Sequence, residues 1–158
     1  MNIVLDISNY SILNIYFLET KRNIIMDGTF TKFIYSNENL ILNSVYLYFP
    51  VEIQAIERTM NKNMIRFHPS SEQNLPLVNE LSRIEYRIIE YYKNVNKCNK
   101  KTVCLLTKQL YNGSLKIYRE SNDSSYKNQN TKYIIKLSGI WETYDDVGIT
   151  YKLIECYS

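Results

Sequence analysis

Short apolar segments separated by polar residues fill the first third of the chain, and they predict β-strands. These segments cover residues 3–7, 12–18, 21–26, 30–36 and 40–50. Residues 30–36 place apolar side chains on both faces of a strand, and residues 45–49 place Val45, Leu47 and Phe49 on one face and Tyr46 and Tyr48 on the other. Asp27-Gly28 and the polar residues 36–39 predict turns. Residues 52–75 have a weaker pattern, in which the apolar positions around 53–56 and 65–67 predict two short strands.

One segment has helical periodicity instead. Its apolar residues recur at spacings of three and four: Leu77, Leu81, Ile84, Ile88 and Tyr91. This spacing predicts an amphipathic helix over residues 76–93. Asn74 is expected to cap the helix, and Pro76 suits its first turn. Glu85 lies off the apolar stripe, so it is expected to face solvent.

After the helix, the pattern predicts two hairpins separated by a polar loop at residues 121–130. Residues 103–110 and 115–119 flank Asn112-Gly113, a strong hairpin turn signal. Residues 133–141 and 149–154 flank a second turn at 145–148, where Gly148 suits a left-handed conformation. Gly139 lies inside an otherwise regular strand, and an internal glycine indicates a bulge or a sharp bend.

The order of these elements predicts the fold class. Several strands, one helix and at least four further strands indicate a mostly β protein, and 158 residues suit a single domain spanning 1–158. One helix cannot cover both faces of a large sheet, which favours a closed or double-layered arrangement. We therefore expect an OB-like antiparallel barrel with one central α-helix, and a β-sandwich or jelly roll is the alternative.

Composition excludes several classes of protein. No apolar run reaches the 18 or so residues that a membrane span needs, and the N-terminus lacks the features of a signal peptide. The three cysteines form no C-x-x-C pair and the chain has one histidine, so no zinc site is expected. We expect reduced thiols, no contact with a membrane and an intracellular location.

Catalytic motifs are also missing from the sequence. It contains no phosphate-binding glycine loop, no G-x-S-x-G and no H-E-x-x-H, and its only histidine, His68, has no acidic neighbour nearer than Glu72. Asp145-Asp146 is more typical of a turn than of a metal site. We therefore expect a non-enzymatic protein with no cofactor and no metal.

Charge is distributed unevenly along the chain, whose net charge is +3. Residues 1–92 carry 8 Lys and Arg against 10 Asp and Glu, whereas residues 93–158 carry 11 against 6. A basic C-terminal half is compatible with a polyanionic partner or with a solvated strand face.

In this basic half, cations are interleaved with aromatic residues. Binding of single-stranded nucleic acid needs cations along the phosphates and flat side chains on which bases stack. Tyr126 and Lys127 offer this pattern in the polar loop. The site residues predicted on the flanking strands are Lys116, Tyr118, Arg119, Lys132, Lys136, Trp141, Tyr144, Tyr151 and Lys152.

Trp141 has two possible positions. Alternation places it with Tyr133, Ile135 and Leu137, which favours the core. A bulge at Gly139 would instead move it to the face of Lys136.

Two segments resemble known proteins. Residues 136–142, which read KLSGIWE, together with residues 148–152, GITYK, resemble the last hairpin of OB-fold single-stranded-DNA-binding proteins of the T7-phage type, which also occur in nucleocytoplasmic large DNA viruses. Residues 33–36 and 42–46 resemble a pattern in other proteins of such viruses. The abundance of Asn, Ile, Lys and Tyr, all with AT-rich codons, suits this source.

The resemblance implies a protein that binds single-stranded DNA or RNA in viral replication, recombination or repair. It places Lys136, Trp141, Tyr151 and Lys152 on or beside the binding strands, and homo-oligomers or other viral proteins are possible partners. The family's acidic C-terminal tail has no counterpart in residues 153–158, so tail-mediated recruitment is not expected. The alternative function is a structural virion component, such as a minor capsid or cementing protein.

Overall fold

A computed structural model describes residues 3–23, 25, 27–119 and 130–157, and of Arg119 and Tyr157 it describes the backbone. The predicted loop, with Tyr126 and Lys127, therefore lies outside the described residues apart from Asn130. The strands are β1 Ile15–Asn23, β2 Gly28–Ser36, β3 Ile41–Leu42, β4 Val45–Tyr48, β5 Ala55–Arg58, β6 Asn63–Arg66, β7 Lys101–Val103, β8 Ser114–Arg119, β9 Thr131–Glu142 and β10 Asp146–Tyr157. The α-helices are α1 Leu75–Asn96 and α2 Leu105–Asn112.

The described strands form one connected sheet, and the protein is mostly β, as predicted, with 45% of its residues in strands. The main path is β1-β2-β9-β10-β8-β6-β5, with β3 beside β2, β4 beside β9 and β7 beside β10. Two pairings are parallel, β10 with β7 and β10 with β8. The sheet is therefore mixed, although the other pairings of the described strands are antiparallel. The sheet is not closed.

The predicted helix is confirmed as α1, which begins one residue earlier and ends three residues later than expected. Pro76 lies in its first turn, as predicted. Asn74 is the N-cap residue, as predicted, but its side chain makes no capping hydrogen bond. Instead it accepts a hydrogen bond from the Glu52 backbone N–H and donates to the backbone oxygens of Glu52 and His68. Asn74 thus ties two loops to the start of α1.

The buried stripe of α1 differs from the prediction at two positions. Leu81, Ile84 and Ile88 are buried as expected, but Tyr91 is 39% exposed and the next residue, Tyr92, is buried in its place. Glu85 is fully buried, so the expectation that it faces solvent is wrong. A buried carboxylate needs hydrogen-bond donors, and those donors come from α2.

The second helix, α2, replaces the hairpin predicted at Asn112-Gly113. The Glu85 carboxylate accepts hydrogen bonds from the backbone N–H groups of Leu106 and Thr107, at 3.0 and 2.8 Å, and from the Thr107 hydroxyl at 2.6 Å. These N–H groups have no partner within the helix because they belong to its first turn. Gly113, at φ 69°, ends α2 in the left-handed conformation that favours glycine. The fold therefore has two helices in its described part rather than one.

The last hairpin, β9–β10, contains the predicted irregularity. Thr150 pairs with Gly139 and Tyr151 pairs with Leu137, so Ser138 is an extra residue on β9. Before this bulge Ile135 and Leu137 are buried, and after it Ile140 is buried and its neighbour Trp141 is half-buried. A bulge reverses the faces of all later side chains. Gly148 lies within β10 rather than in a left-handed turn.

Candidate nucleic-acid interface

One face of the sheet carries a row of lysines and tyrosines that crosses four strands. Lys152 on β10 is paired with Lys136 on β9, and Lys136 is paired with Tyr46 on β4. Leu153 pairs with Ile117, so Lys152 lies beside Lys116 on β8. Residues that are directly opposite on neighbouring strands share a face of the sheet. We name Lys116, Tyr118, Lys152, Lys136 and Tyr46 the lysine–tyrosine row.

The lysines of this row lie over the tyrosine rings. The ammonium groups of Lys116 and Lys152 are 5.0 and 5.3 Å from the centre of the Tyr118 ring. That of Lys136 is 5.6 Å from the centre of the Tyr46 ring. These distances are within the range of cation–π attraction. Tyr118 is 40% exposed, whereas Tyr46 is buried, so only Tyr118 offers its ring to a ligand.

None of the three row lysines forms an ion pair within the described part of the chain. Among the described residues, no carboxylate neutralises their charges. Adjacent strands are about 4.8 Å apart, so the row spans roughly 14 Å across the sheet. The row is thus a local concentration of positive charge on one face of the sheet.

Trp141 lies on the same face of the sheet and pairs with Gly148 on β10. Gly148 is four positions from Lys152 along the strand, which places Trp141 about 13 Å from the row. The indole packs against Gly148, where a Cβ atom would come within 2.3 Å of the ring. Its Nε1 donates a hydrogen bond of 3.2 Å to the backbone oxygen of Ile149. Backbone contacts therefore fix the position of a half-buried ring beside the lysine face.

A recess of about 320 Å³ joins Trp141 to the row. It is lined by Trp141, Tyr151, Gln109, Lys116, Tyr118 and neighbouring residues of β10. The Tyr151 hydroxyl donates a hydrogen bond to Gln109 Oε1 on α2. Burial, followed by the charges of Glu85 and Tyr118, raises the pKa of Tyr151 to about 12, so this hydroxyl stays protonated. The lining of the recess thus combines three aromatic side chains with polar and aliphatic ones.

The structure brings six of the nine predicted site residues together: Lys116, Tyr118, Lys136, Trp141, Tyr151 and Lys152. Lys132 does not belong to this group, because it is exposed near the far end of β9, where it pairs with Cys156. Tyr144 is 91% exposed in the β9–β10 turn and lines neither the row nor the recess. The backbone of Arg119 continues β8 beyond Tyr118, and its side chain lies outside the described atoms.

Sequence reasoning missed two residues of this surface. Tyr46 was assigned to a strand face but not to the site, because nothing local indicates that β4 pairs with β9. Gln109 was placed in a strand, whereas it lies on α2 and faces the recess. No local sequence signal indicates this, because the burial of Glu85 and its donors on α2 are evident only in the structure.

A second polar cluster joins α1 to the other end of β9. Glu142 accepts hydrogen bonds from the Tyr92 hydroxyl at 2.6 Å and from Cys98 Sγ at 3.4 Å, and Lys100 Nζ lies 3.4 Å away. Burial would raise the pKa of Glu142, but these donors and the lysine charge outweigh it and hold the pKa below its usual value. The Glu142 carboxylate already interacts with Tyr92, Cys98 and Lys100, so the cluster attaches α1 to the sheet.

The chain's other chemical features are limited in the described residues. Cys98 and Cys104 are free thiols, and burial, followed by the charges of Glu85 and Glu90, raises the pKa of Cys104 to about 11. No three His, Cys, Asp or Glu side chains converge in the described ranges. Neither described helix is long and apolar enough to cross a membrane.

Comparisons with protein-family models, with curated proteins and with solved structures find no match to this chain.

Proposed function

We propose that this chain is a non-enzymatic protein that binds single-stranded nucleic acid through the lysine–tyrosine row and the adjoining recess. The observation that carries the proposal is the placement of Lys116, Lys136 and Lys152 on one face without ion pairs in the described part of the chain. Cations that track phosphates beside aromatic rings are what sequence-independent binding of single strands requires.

The position of Trp141 supports the same proposal. The bulge at Ser138 moves the indole away from the face of Leu137 and onto the face of Lys152. A half-buried ring that is fixed by Gly148 and the Ile149 carbonyl is preorganised for stacking, because it loses little freedom when a base packs on it. Tyr118 is the second platform, and a strand that follows the face would contact both.

We also propose that the sheet is a variant of the OB type, as the resemblance of the last hairpin implies. Arg58 on β5 and Glu155 on β10 form an ion pair of 2.7 Å although β6 and β8 lie between their strands in the sheet order. Three strand spacings in a flat sheet would be roughly 14 Å. Curvature of the sheet toward this face shortens that separation, and curvature is the first requirement of a barrel.

In this proposal the protein acts in replication, recombination or repair of a large DNA virus, within the infected cell. Titration of fluorescein-labelled oligo-dT and oligo-rU, followed by anisotropy, tests binding and separates DNA from RNA preference. We expect saturable binding of oligo-dT together with quenching of Trp141 emission. Absence of binding at low salt would contradict the proposal.

One observation favours the alternative of a structural virion component. Large apolar side chains are exposed on the segments that flank β2, among them Leu13 at 82%, Tyr16 at 53% and Ile41 at 72%. Such residues are common where a protein contacts another protein. Co-purification with assembled capsids, combined with no binding of oligo-dT, would favour this alternative.

A further inference from the structure

Two aromatic rings lie over two glycines on the face of the sheet that carries the lysine–tyrosine row. Phe30 on β2 pairs with Trp141 on β9, so the two side chains share this face. The Phe30 ring covers Gly139, where a Cβ atom would come within 2.6 Å of the ring, in the same way as the Trp141 indole covers Gly148. Phe30, like Trp141, is half-buried. The absence of a Cβ atom thus lets each ring lie close to the backbone of the neighbouring strand.

The positions of the two glycines set the spacing of the two rings. Gly139 pairs with Thr150, and Gly148 lies two residues from Thr150 on β10. The two glycines are therefore diagonal neighbours on adjacent strands, about 7–8 Å apart. This spacing is about twice the 3.4 Å rise per base along one strand of a duplex. Two consecutive bases that stack on these rings cannot also stack on each other, so the rings match an extended single strand.

Lys32 places a positive charge beside the Phe30 ring. It follows Phe30 by two positions on the same face of β2, and it pairs with Gly139, the residue that the ring covers. Lys32 is exposed and forms no ion pair among the described residues. Because Gly139 belongs to β9, the ring leans away from Lys21, its partner on β1. The surface that continues from Trp141 therefore ends at β2.

We propose that Phe30 is a third stacking platform, after Trp141 and Tyr118, and that Phe30 and Trp141 hold two consecutive, unstacked bases of one strand. Lys32 contacts a phosphate next to the base on Phe30. Cations beside aromatic rings are the arrangement that binds single strands. This inference rests on the proposed function, and it specifies the conformation of the ligand as an extended strand whose bases face the sheet.

A purely structural role for Phe30 leads to a different expectation. A ring that served only to cover Gly139 would contribute to stability, and any apolar side chain of similar size would replace it. A stacking platform needs a flat ring, so its replacement by an aliphatic side chain weakens binding even when the fold is retained.

The test measures anisotropy of fluorescein-labelled oligo-dT, and of a labelled duplex of equal length, with the whole chain. Phe30→Leu should weaken oligo-dT binding by roughly fivefold or more, which is the loss of about one base–ring stack. Phe30→Tyr keeps the ring and should bind close to the wild-type affinity. Duplex binding should be the same in all three proteins, because duplex bases are already stacked on each other. Tyr86→Ala removes an exposed ring from α1 and, as the matched control, should change neither affinity.

Lys32→Gln provides a second measurement. It should flatten the log–log salt dependence of oligo-dT binding by roughly 0.7, the contribution of one phosphate. Lys62→Gln removes an exposed lysine from the turn between β5 and β6 and should leave the slope unchanged.

The outcomes separate this inference from the proposed function. Absence of oligo-dT binding by the wild type would overturn both. Binding that is weakened when Lys116, Lys136 and Lys152 are changed to Gln, but not by Phe30→Leu, would overturn this inference alone. An equal loss in Phe30→Tyr and Phe30→Leu, or an equal loss for the duplex and for oligo-dT, would also overturn it, because either result would indicate a structural effect.

Discussion

The Glu85 carboxylate and the lysines of the lysine–tyrosine row differ in burial and in the groups that surround their charge. Glu85 is fully buried, and three donors at the start of α2 satisfy its carboxylate. Lys116 and Lys152 are exposed and form no ion pair in the described part of the chain; aromatic rings are their neighbours. The first arrangement leaves no capacity for a ligand, whereas the second leaves its full charge available.

This difference separates a structural role from a binding role on physical grounds. A buried, satisfied charge contributes through the donors that would be left unpaired if it were removed. An exposed charge contributes little to stability, so its removal should be nearly silent in the free protein. Substitutions in the two groups should therefore affect different measurements.

The largest effect is expected for Glu85→Ala. Its removal leaves the N–H groups of Leu106 and Thr107 without partners and takes away the side chain that caps the N-terminus of α2. We expect a loss of about 2–4 kcal/mol in the free energy of unfolding, measured by urea denaturation. Glu80→Ala is the control, because Glu80 forms only an exposed ion pair with Arg83, and it should cost less than about 0.5 kcal/mol. Equal melting of both variants would show that the buried cap is not needed.

The next effect concerns Trp141. Because its ring is half-buried on the lysine face, it combines a structural role with a binding role. Trp141→Ala should weaken oligo-dT binding by roughly 1–3 kcal/mol if a base stacks on the indole. Its emission, as the only tryptophan, should be quenched by saturating oligo-dT. Tyr144→Ala removes an aromatic ring outside the recess and should leave binding unchanged. Emission that ignores DNA which demonstrably binds would remove Trp141 from the site.

A smaller effect concerns pH and sharpens the contrast between two carboxylates. The pKa of Glu85 is raised, because burial outweighs the hydrogen bonds from Thr107 and Leu106. The pKa of Glu142 is lowered, because its donors and Lys100 outweigh burial. The contribution of Glu142 is therefore present above its ordinary pKa of 4.5 and is lost as the pH falls through the lowered value. For Glu85 the sign is opposite, and stability rises as the pH falls toward the ordinary value.

Two variants measure this contrast. The difference in unfolding free energy between wild type and Glu142→Gln should shrink between about pH 7 and about pH 3, and that for Glu85→Gln should grow as the pH falls. Urea denaturation at several pH values provides the measurement. Differences that change in the same direction for both variants would contradict the assigned pKa shifts.

The elements predicted correctly from sequence depend on local signals. The helix α1 has regular apolar spacing and a proline in its first turn, and the bulge at Ser138 is indicated by the neighbouring Gly139. The helix α2 was missed because its eight residues are too short for clear periodicity and its cap comes from Glu85, about 20 residues earlier. Asn112-Gly113 resembles a hairpin turn, although here Gly113 ends a helix.

The candidate site was likewise predictable only where local signals indicate it. Lys116 and Tyr118 on one strand, and Lys136 and Lys152 on the last hairpin, follow from alternation and from hairpin pairing. The parallel pairing of β8 with β10, which brings these groups together, is non-local and has no sequence signal. The same holds for the contact of Tyr46 with Lys136.

The central claim is that the lysine–tyrosine row binds the phosphates of a single strand, and the salt dependence of oligo-dT binding tests it most directly. Affinity should fall linearly on a log–log plot between about 50 and 200 mM salt, with a slope of roughly −0.7 for each phosphate neutralised. Changing Lys116, Lys136 and Lys152 to Gln should flatten the slope by about two units. The matched variant with Lys21, Arg22 and Lys97 changed to Gln removes the same charge from exposed positions elsewhere and should leave the slope nearly unchanged. A wild-type slope near zero, or equal flattening by both variants, would contradict the account.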